Sequence, residues 1–251
     1  KMKRGRKMLT IILIITTILV VILSGIFAFL GRSQTLSIKS IENVSDDLYV
    51  FRLKKPNNMT WKAGSYIKLT VPDIEDNKEN NRWLTIASNP DENEIVFLTR
   101  NSGSKFKQKL INLQIGEKVK VSWLDKNLEV VGGQEPIVCF ASDVGIAAIR
   151  PIVKEWSSKR SIILNHLDKG AKVFDKELTM LSNKEKDFTY ETSESIEQSR
   201  EILKKIVNKY GNRAIYLLSG KPDDVNAMKN FLESAGISKE KIKIDSFKGL
   251  K

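Results

Sequence analysis

The segment Arg82-Trp83-Leu84-Thr85-Ile86-Ala87-Ser88 carries the most information about the fold. Its arginine offers a planar fork of N–H donors that can bind a pyrophosphate bidentately, and a hydroxyl follows at Thr85. Taken alone, the segment also fits an ordinary amphipathic strand that opens with an exposed arginine. The segments on either side decide between a phosphate-binding strand and an ordinary one.

Short strands surround this segment from about residue 36 to residue 123. Apolar and polar residues alternate in them, as at 48–53 and 67–71, and turn residues such as Asn89-Pro90-Asp91 separate them. Only residues 104–113 have helical character. Many short strands with so little helix predict an all-β Greek-key barrel that is small and closed.

The pattern changes after Gly132-Gly133, which we interpret as the joint between two domains. From residue 137 onward, buried strands alternate with helical stretches, which predicts an α/β doubly wound parallel sheet. Ligands of such sheets bind at the carboxyl ends of the strands, where residues 142–145 and 219–222 fall. The predicted units are an N-terminal segment (1–33), a barrel (34–133) and an α/β domain (134–251).

Five segments in chain order resemble a single family. The resemblance is to the ferredoxin–NADP reductase superfamily of flavoprotein reductases, and it covers residues 34–251. It implies a FAD-binding barrel followed by an NAD(P)-binding domain, with FAD as cofactor and with NAD(P)H binding left open. The five segments are Trp61-Lys62-Ala63-Gly64-Ser65-Tyr66-Ile67-Lys68-Leu69, the segment 82–88, Ala141-Ser142-Asp143-Val144-Gly145-Ile146-Ala147-Ala148-Ile149-Arg150-Pro151, Tyr216-Leu217-Leu218-Ser219-Gly220-Lys221-Pro222 and Ile242-Lys243-Ile244-Asp245-Ser246-Phe247.

On the flavin side, the resemblance implies that Arg82 binds cofactor and that the Thr85 hydroxyl, a catalytic candidate, faces flavin N5. Leu84 stands where the family carries an aromatic ring that stacks on the flavin, and Trp83 lies one residue out of that position. A turn with hydroxyl and ammonium groups follows, and a lysine there neutralises phosphate as a point charge. The further cofactor-binding candidates are Gly103, Ser104, Lys105, Lys107 and the C-terminal aromatic residue Phe247.

The nicotinamide side departs further from the family. Ser142-Asp143 replaces a glycine pair, which places a carboxylate beside the expected phosphates. Ser219 replaces a cysteine that lies beside the nicotinamide in the family, and it is the second catalytic candidate. The ligand-binding candidates on this side are Ser142, Asp143, Val144, Gly145, Gly220, Lys221 and Pro222.

Two residues near this loop carry subsidiary expectations. Arg150 is a candidate partner for the Asp143 carboxylate, and such a pair would restore the loop for phosphate binding. His166 is the only histidine, and we expect it on the surface rather than at a ligand.

The N-terminus predicts an uncleaved transmembrane helix. No charged residue lies between Lys7 and Arg32, and the interval is rich in Ile, Leu, Val and Phe. That run exceeds the ~20 residues that span a bilayer. A cleaved signal peptide, the competing interpretation, has an apolar core of ~7–15 residues and a small-x-small cleavage site, which residues 26–30 lack. The membrane is therefore an expected partner.

Basic residues at the two ends of this run predict its orientation. Arg32 and Lys39 follow it closely, and five basic residues precede it. The positive-inside rule then places the N-terminus in the cytoplasm and the C-terminal module outside. Because soluble NAD(P)H is cytoplasmic, either the rule fails here or the electron donor is a different one. The preceding basic residues are Lys1, Lys3, Arg4, Arg6 and Lys7.

The charge and the cysteine content limit the kinds of partner and cofactor that the chain can bind. The net charge is +12, and the first seven residues contribute +5, which leaves +7 for the rest. The lysines are interspersed with Asp and Glu, which favours a solvated surface over an anionic-partner site, and no nucleic-acid motif is present. Cys139 is the only cysteine, which excludes an intrachain disulfide and a cysteine-ligated iron–sulfur cluster.

Two functions fit these observations. The first is a membrane-anchored flavin-dependent oxidoreductase that passes electrons between NAD(P)H or another donor and a one-electron acceptor. The second is a non-catalytic or donor-switched subunit that keeps the reductase fold within a membrane electron-transfer assembly. Arg82 and Thr85 favour the first function, whereas Leu84, Asp143 and Ser219 favour the second.

Overall fold

A computed structural model gives the fold. It describes residues 2–30, 33–72, 74–76, 79–130, 132–168, 170 and 172–247. Lys1 and Arg32, which enter the orientation argument, lie outside these residues.

The first element is helix α1, Met2–Leu30. Large apolar side chains of this helix lie exposed on all of its sides between Met8 and Phe27, with about half or more of their surface accessible. Three hydroxyl groups within it donate to carbonyl groups one turn earlier: those of Thr16, Thr17 and Ser24. Across the described part of the chain, no helix is both long enough and apolar enough to cross a membrane.

Six antiparallel strands follow and form a barrel-like sheet, as predicted. Their order in the sheet is β4-β3-β6-β1-β2-β5. The two edge strands meet, because the Ala87 amide donates to the Val96 carbonyl at 2.7 Å and the Val96 amide donates to Ser88 Oγ at 3.0 Å. The strands are β1 (Gln34–Ser45), β2 (Leu48–Lys54), β3 (Ser65–Thr70), β4 (Asn81–Thr85), β5 (Glu94–Arg100) and β6 (Lys118–Lys126).

Alternating apolar residues on these strands fill the barrel. Phe51 and Phe97 stack at its centre with ring centroids 5.0 Å apart. Helix α2, Lys105–Ile111, covers one part of this core with Phe106 and Leu110. Ser104, predicted as the first helical residue, is the N-cap of α2.

Five parallel strands form the second sheet, in the order β11-β10-β7-β8-β9. Helices cover both faces, because α3 and α4 share one core cluster with the sheet and α5 and α6 share another. The prediction of a doubly wound parallel sheet is confirmed. The elements are β7 (Ile137–Ser142), α3 (Ile146–Trp156), β8 (Ile162–Leu167), α4 (Asp175–Lys184), β9 (Phe188–Ser193), α5 (Ile196–Tyr210), β10 (Ile215–Gly220), α6 (Pro222–Ser234) and β11 (Ile242–Ser246).

An apolar interface joins the two sheets. Val50 and Leu98 of the barrel belong to the same buried cluster as Ile149 and Ile152 of α3. The barrel and the parallel-sheet domain therefore pack against each other, and burial of apolar surface between them stabilises this contact by roughly 25 cal/mol per Å². Arg100, the last residue of β5, pairs with Asp143, which directly follows β7, so the ends of these two strands lie side by side.

Candidate cofactor site

Strand β4 presents its residues alternately to the barrel core and to solvent. Leu84 is 8% exposed and belongs to the barrel core, so it offers little surface to a planar ligand. Trp83 is 54% exposed, and its ring meets that of Tyr66 edge-on at 5.3 Å. Thr85 lies opposite Tyr66 in the β3–β4 register. The accessible aromatic surface on this strand therefore consists of Trp83 and Tyr66, with Thr85 beside them.

Arg82 lies at the start of β4, next to α2. Its Nη1 donates to the Asn81 carbonyl at 2.6 Å, and its guanidinium lies 5.4 Å from the centre of the Phe106 ring. Burial and the nearby Arg82 charge lower the pKa of Lys107 to about 8. Two cations this close favour the binding of an anion, because an anion relieves their mutual repulsion.

The turn that leads into α2 gathers most of the predicted groups. Gly103 has φ +76°, a left-handed conformation that suits glycine, and its amide donates to Asn101 Oδ1 at 3.1 Å. Ser104 Oγ accepts a hydrogen bond from the Lys107 amide at 3.4 Å. Lys105 diverges from this group, because its side chain is 75% exposed and pairs with Glu79 at 3.0 Å.

The loop after β7 has a different electrostatic character. Asp143 is 9% exposed and has φ +53°, a conformation that Asp and Asn adopt more readily than other non-glycine residues. Its carboxylate accepts two hydrogen bonds from Arg100, from Nε at 2.5 Å and from Nη2 at 2.6 Å. Arg100 also pairs with Asp47. The hydrogen bonds that Arg100 donates to Asp143 are the main reason that the pKa of Arg100 is raised.

The expected pairing of Arg150 with Asp143 is wrong. Arg150 is 6% exposed and forms a fork with Glu177, both distances being 2.8 Å. It also donates to the Ala87 carbonyl at 2.7 Å and to Glu92 at 3.0 Å. Arg150 therefore ties α3 and α4 to the barrel segment that follows β4, and β5 supplies the partner of Asp143.

The expectation of a surface histidine is also wrong. His166 is 2% exposed at the end of β8, and burial lowers its pKa. Its Nε2 lies 3.2 Å from the Asp143 carbonyl and its Nδ1 lies 3.4 Å from the Tyr190 hydroxyl. Tyr190 in turn donates to Asp175 at 3.1 Å. His166 thus supports the loop that carries Asp143.

The two loops of the parallel sheet pack directly against each other. A Cβ atom on Gly145 would lie 2.2 Å from the Ser219 carbonyl oxygen, and one on Gly220 would lie 2.2 Å from the Ser142 carbonyl oxygen. Glycine at both positions therefore permits loop–loop contact. Ser142 donates to Asp224 on α6, and the buried Val144 packs in the core between the sheets.

The remaining candidates lie around the second loop. Phe247 donates its amide to the Gly220 carbonyl at 3.0 Å and packs against the core between the two sheets. Lys221 is the N-cap of α6, and Pro222 is the first residue of that helix. Proline suits this position because its fixed φ is helical and its missing N–H is not needed.

Two buried polar atoms at the ends of β10 and β11 have no partner among the described residues. Ser219 Oγ is one, in a residue with no exposed surface, and Asp245 Oδ2 is the other. The residues face each other in the parallel register. Asp245 Oδ1 accepts a hydrogen bond from Asn127 of the barrel at 2.8 Å. Unsatisfied buried groups are rare and costly, so this pair is a candidate ligand contact.

Sequence analysis did not single out Asp245. Burial raises the pKa of its carboxyl group, and Asn127 offsets part of that effect. The pKa of Tyr66 is raised by burial, by Asp125 and by Asp245. Asp245 therefore lies near the Trp83–Tyr66 surface, at the junction of the two sheets. Its place two residues before Phe247, at the end of the last strand, was the available signal.

No group of side chains in the described ranges has the composition of a metal site. The single cysteine, Cys139, is buried within β7.

Solved structures share this fold. A ferredoxin–NADP⁺ reductase from Neisseria gonorrhoeae with bound FAD and NADP has a TM-score of 0.69 at 14% identity, over 86% of this chain and 99% of that one. The FAD/NAD-binding domain of a nitric oxide dioxygenase from Vibrio cholerae has a TM-score of 0.70 at 15% identity, over 86% and 98%. A cytochrome P450 reductase from Amycolatopsis has a TM-score of 0.71 at 16% identity, over 86% and 71%. The fold is that of ferredoxin–NADP reductase-like proteins.

No protein-family model matches the chain, and no curated protein matches it. At identities this low, the likeness concerns the fold alone. The function must therefore be argued from the site.

Proposed function

We propose that this protein is a flavin-dependent oxidoreductase that transfers electrons to a one-electron acceptor. The observation that carries the proposal is the pair of unpartnered buried atoms, Ser219 Oγ and Asp245 Oδ2, beside the exposed Trp83–Tyr66 surface. A planar heterocycle seated on the Trp83–Tyr66 surface would lie beside Asp245, whose charge already acts on Tyr66. A flavin supplies the redox chemistry when bound, because it exchanges one or two electrons.

The residues of the barrel fit FAD. Arg82 and Lys107 supply positive charge for its pyrophosphate, and the low pKa of Lys107 reflects a cation that gains from a nearby anion. Trp83 and Tyr66 offer aromatic surface for the ring system, and Thr85 lies opposite Tyr66 on the neighbouring strand. Leu84 contributes only from within the barrel core.

The electron donor is the weakest part of the resemblance to NAD(P)H reductases. By the family resemblance, Asp143 stands beside the expected dinucleotide pyrophosphate, and Arg100 already neutralises its carboxylate. This observation favours a second candidate function, a donor-switched subunit of a membrane electron-transfer assembly that keeps the flavin. The two candidates differ in how fast NAD(P)H reduces the bound flavin.

We also propose that the N-terminal segment anchors the protein in a membrane. The exposed apolar side chains of α1 need an apolar environment. The hydroxyl groups of Thr16, Thr17 and Ser24 donate to carbonyl groups of the same helix, so these three groups have partners within it. The excess of basic residues before the apolar run favours a cytoplasmic N-terminus and an extracytoplasmic module.

A FAD titration of the purified full chain in detergent tests the cofactor. We expect a flavin absorbance spectrum or saturable FAD uptake, and an Arg82→Ala variant that loses about 2–3 kcal/mol of affinity, roughly 30- to 150-fold, with one charge-assisted contact. Arg52→Ala is the matched control, because Arg52 forms only long ion pairs on another barrel strand. A colourless protein without measurable FAD binding would refute the proposal.

Membrane fractionation and protease protection test the anchor. The full chain should sediment with membranes, and a variant without residues 1–33 should not. Protease added to intact cells should digest the module. Protection in intact cells followed by digestion after lysis would contradict the proposed orientation. Recovery of the full chain in the soluble fraction would contradict the proposed membrane anchor.

A further inference from the structure

One ion pair joins the two sheets at the mouth of the candidate site. Arg100 lies at the end of β5 in the barrel, and Asp143 lies in the loop after β7. The two Arg100–Asp143 distances of 2.5 and 2.6 Å describe a fork-to-fork pair. A guanidinium presents the same fork to a phosphate oxygen pair.

The surroundings of Asp143 hold its carboxylate in this position. Its backbone has a left-handed conformation, φ +53°, and its carboxylate reaches Arg100 of the barrel. The carbonyl of Asp143 lies 3.2 Å from His166 Nε2, and His166 is buried. Gly145 and Gly220 pack the same loop against its neighbour. These contacts fix the loop in the conformation in which the Asp143 carboxylate pairs with Arg100.

Arg100 has a second acid, Asp47, whose side chain is 46% exposed. Loss of the Asp143 charge would therefore leave Arg100 paired at the surface and not isolated. Two N–H donors of the guanidinium, those of Nε and Nη2, would then be available to an external anion. Asp47 would therefore hold the Arg100 side chain in place whether or not an anion occupies Nε and Nη2.

We propose that Asp143 is an internal anion that masks Arg100 and closes the junction between the sheets to diphosphate-bearing ligands. Asp143 is then a specificity-determining residue, and its chemical competitors are a dinucleotide pyrophosphate and a free diphosphate. The inference rests on the proposed function only for the expectation that a dinucleotide is a relevant competitor.

Isothermal titration calorimetry with inorganic pyrophosphate and, separately, with NADP⁺ tests the mask. Asp143→Asn keeps the shape and tolerates the left-handed backbone, and it removes the charge. We expect it to bind both ligands about tenfold more tightly than the unmodified chain, since a carboxylate beside the anion is removed. Asp187→Asn, an exposed aspartate before β9, makes the same change in net charge and should leave both affinities unchanged.

A second variant identifies Arg100 as the masked group. Adding Arg100→Met to Asp143→Asn should abolish the gain, while thermal melting verifies that each variant is folded. A gain for pyrophosphate alone supports the mask and assigns a free diphosphate as the competitor. Equal affinities in Asp143→Asn and the unmodified chain, or a gain that survives Arg100→Met, would overturn it. Neither reading depends on bound flavin, so failure of the flavin proposal is recognised separately by the FAD titration.

Discussion

The barrel carries two cationic regions, one at β4 and α2 and one at the end of β5, and their charges have opposite surroundings. Near β4, burial and a neighbouring arginine lower the pKa of Lys107 to about 8. Near β7, the hydrogen bonds that Arg100 donates to Asp143 raise the pKa of Arg100. The first region therefore gains from an external anion, whereas the second already contains one.

Packing shows the same contrast. A Cβ atom on Gly103, beside Lys107, would meet nothing within 4 Å, whereas one on Gly145 would meet the Ser219 carbonyl at 2.2 Å. Open space surrounds the turn on the barrel side, and backbone fills the space on the other side. A ligand can therefore approach the barrel turn without rearrangement of the chain.

The largest expected change in stability comes from breaking the contact between the parallel-sheet domain and the barrel. Arg150→Met removes the buried cation that joins α3 and α4 to the Ala87 carbonyl and Glu92. We expect a loss of about 3 kcal/mol in the free energy of unfolding, because the buried Ala87 carbonyl and two half-buried acids, Glu92 and Glu177, lose their partner. Urea denaturation measures it. Lys154→Met, which contacts the same acids from a more exposed position, should cost at most about 1 kcal/mol. Similar losses in both variants would contradict the assigned role of Arg150.

Alanine at the two glycines measures the packing contrast directly. Gly145→Ala should lower the free energy of unfolding by about 2–3 kcal/mol, because its Cβ atom collides with backbone. Gly103→Ala should cost about 1 kcal/mol, the penalty of its left-handed backbone alone. Denaturant melts of the two variants provide the comparison. If Gly103→Ala were the more damaging change, the closed loop would not be the tighter region.

The pH dependence of FAD affinity tests the charge on Lys107. The ammonium group is protonated below its pKa of about 8 and loses its proton above it, so FAD affinity should fall as the pH rises through 8. Between pH 7 and pH 9 we expect a decrease of roughly tenfold. Calorimetric titrations at several pH values measure the slope. Lys107→Met should flatten the slope, and Lys109→Met, on the same helix, should keep it.

The sequence predicted the larger features because they depend on short-range patterns. Alternation of apolar residues indicated the barrel, and strand–helix alternation indicated the parallel sheet, both of which the structure confirms. The partners of Asp143 were missed because Arg100 lies 43 residues earlier, on another domain. The burial of His166 was missed because a polar residue at a strand end is usually exposed. The loop that covers His166 carries Asp143, and the sequence does not show that this loop lies beside it. Long-range charge pairing leaves no local pattern.

Anaerobic stopped-flow reduction of the FAD-loaded full chain by NADH and by NADPH tests the central contrast most directly. The account predicts slow reduction by both nucleotides, because Asp143 closes the junction while the barrel still holds flavin. It also predicts reduction about tenfold faster in the double variant Ser142→Gly with Asp143→Gly, which removes the carboxylate and one side chain from the loop. Rapid reduction of the unmodified protein by either nucleotide would contradict the account and would make the chain an ordinary NAD(P)H reductase.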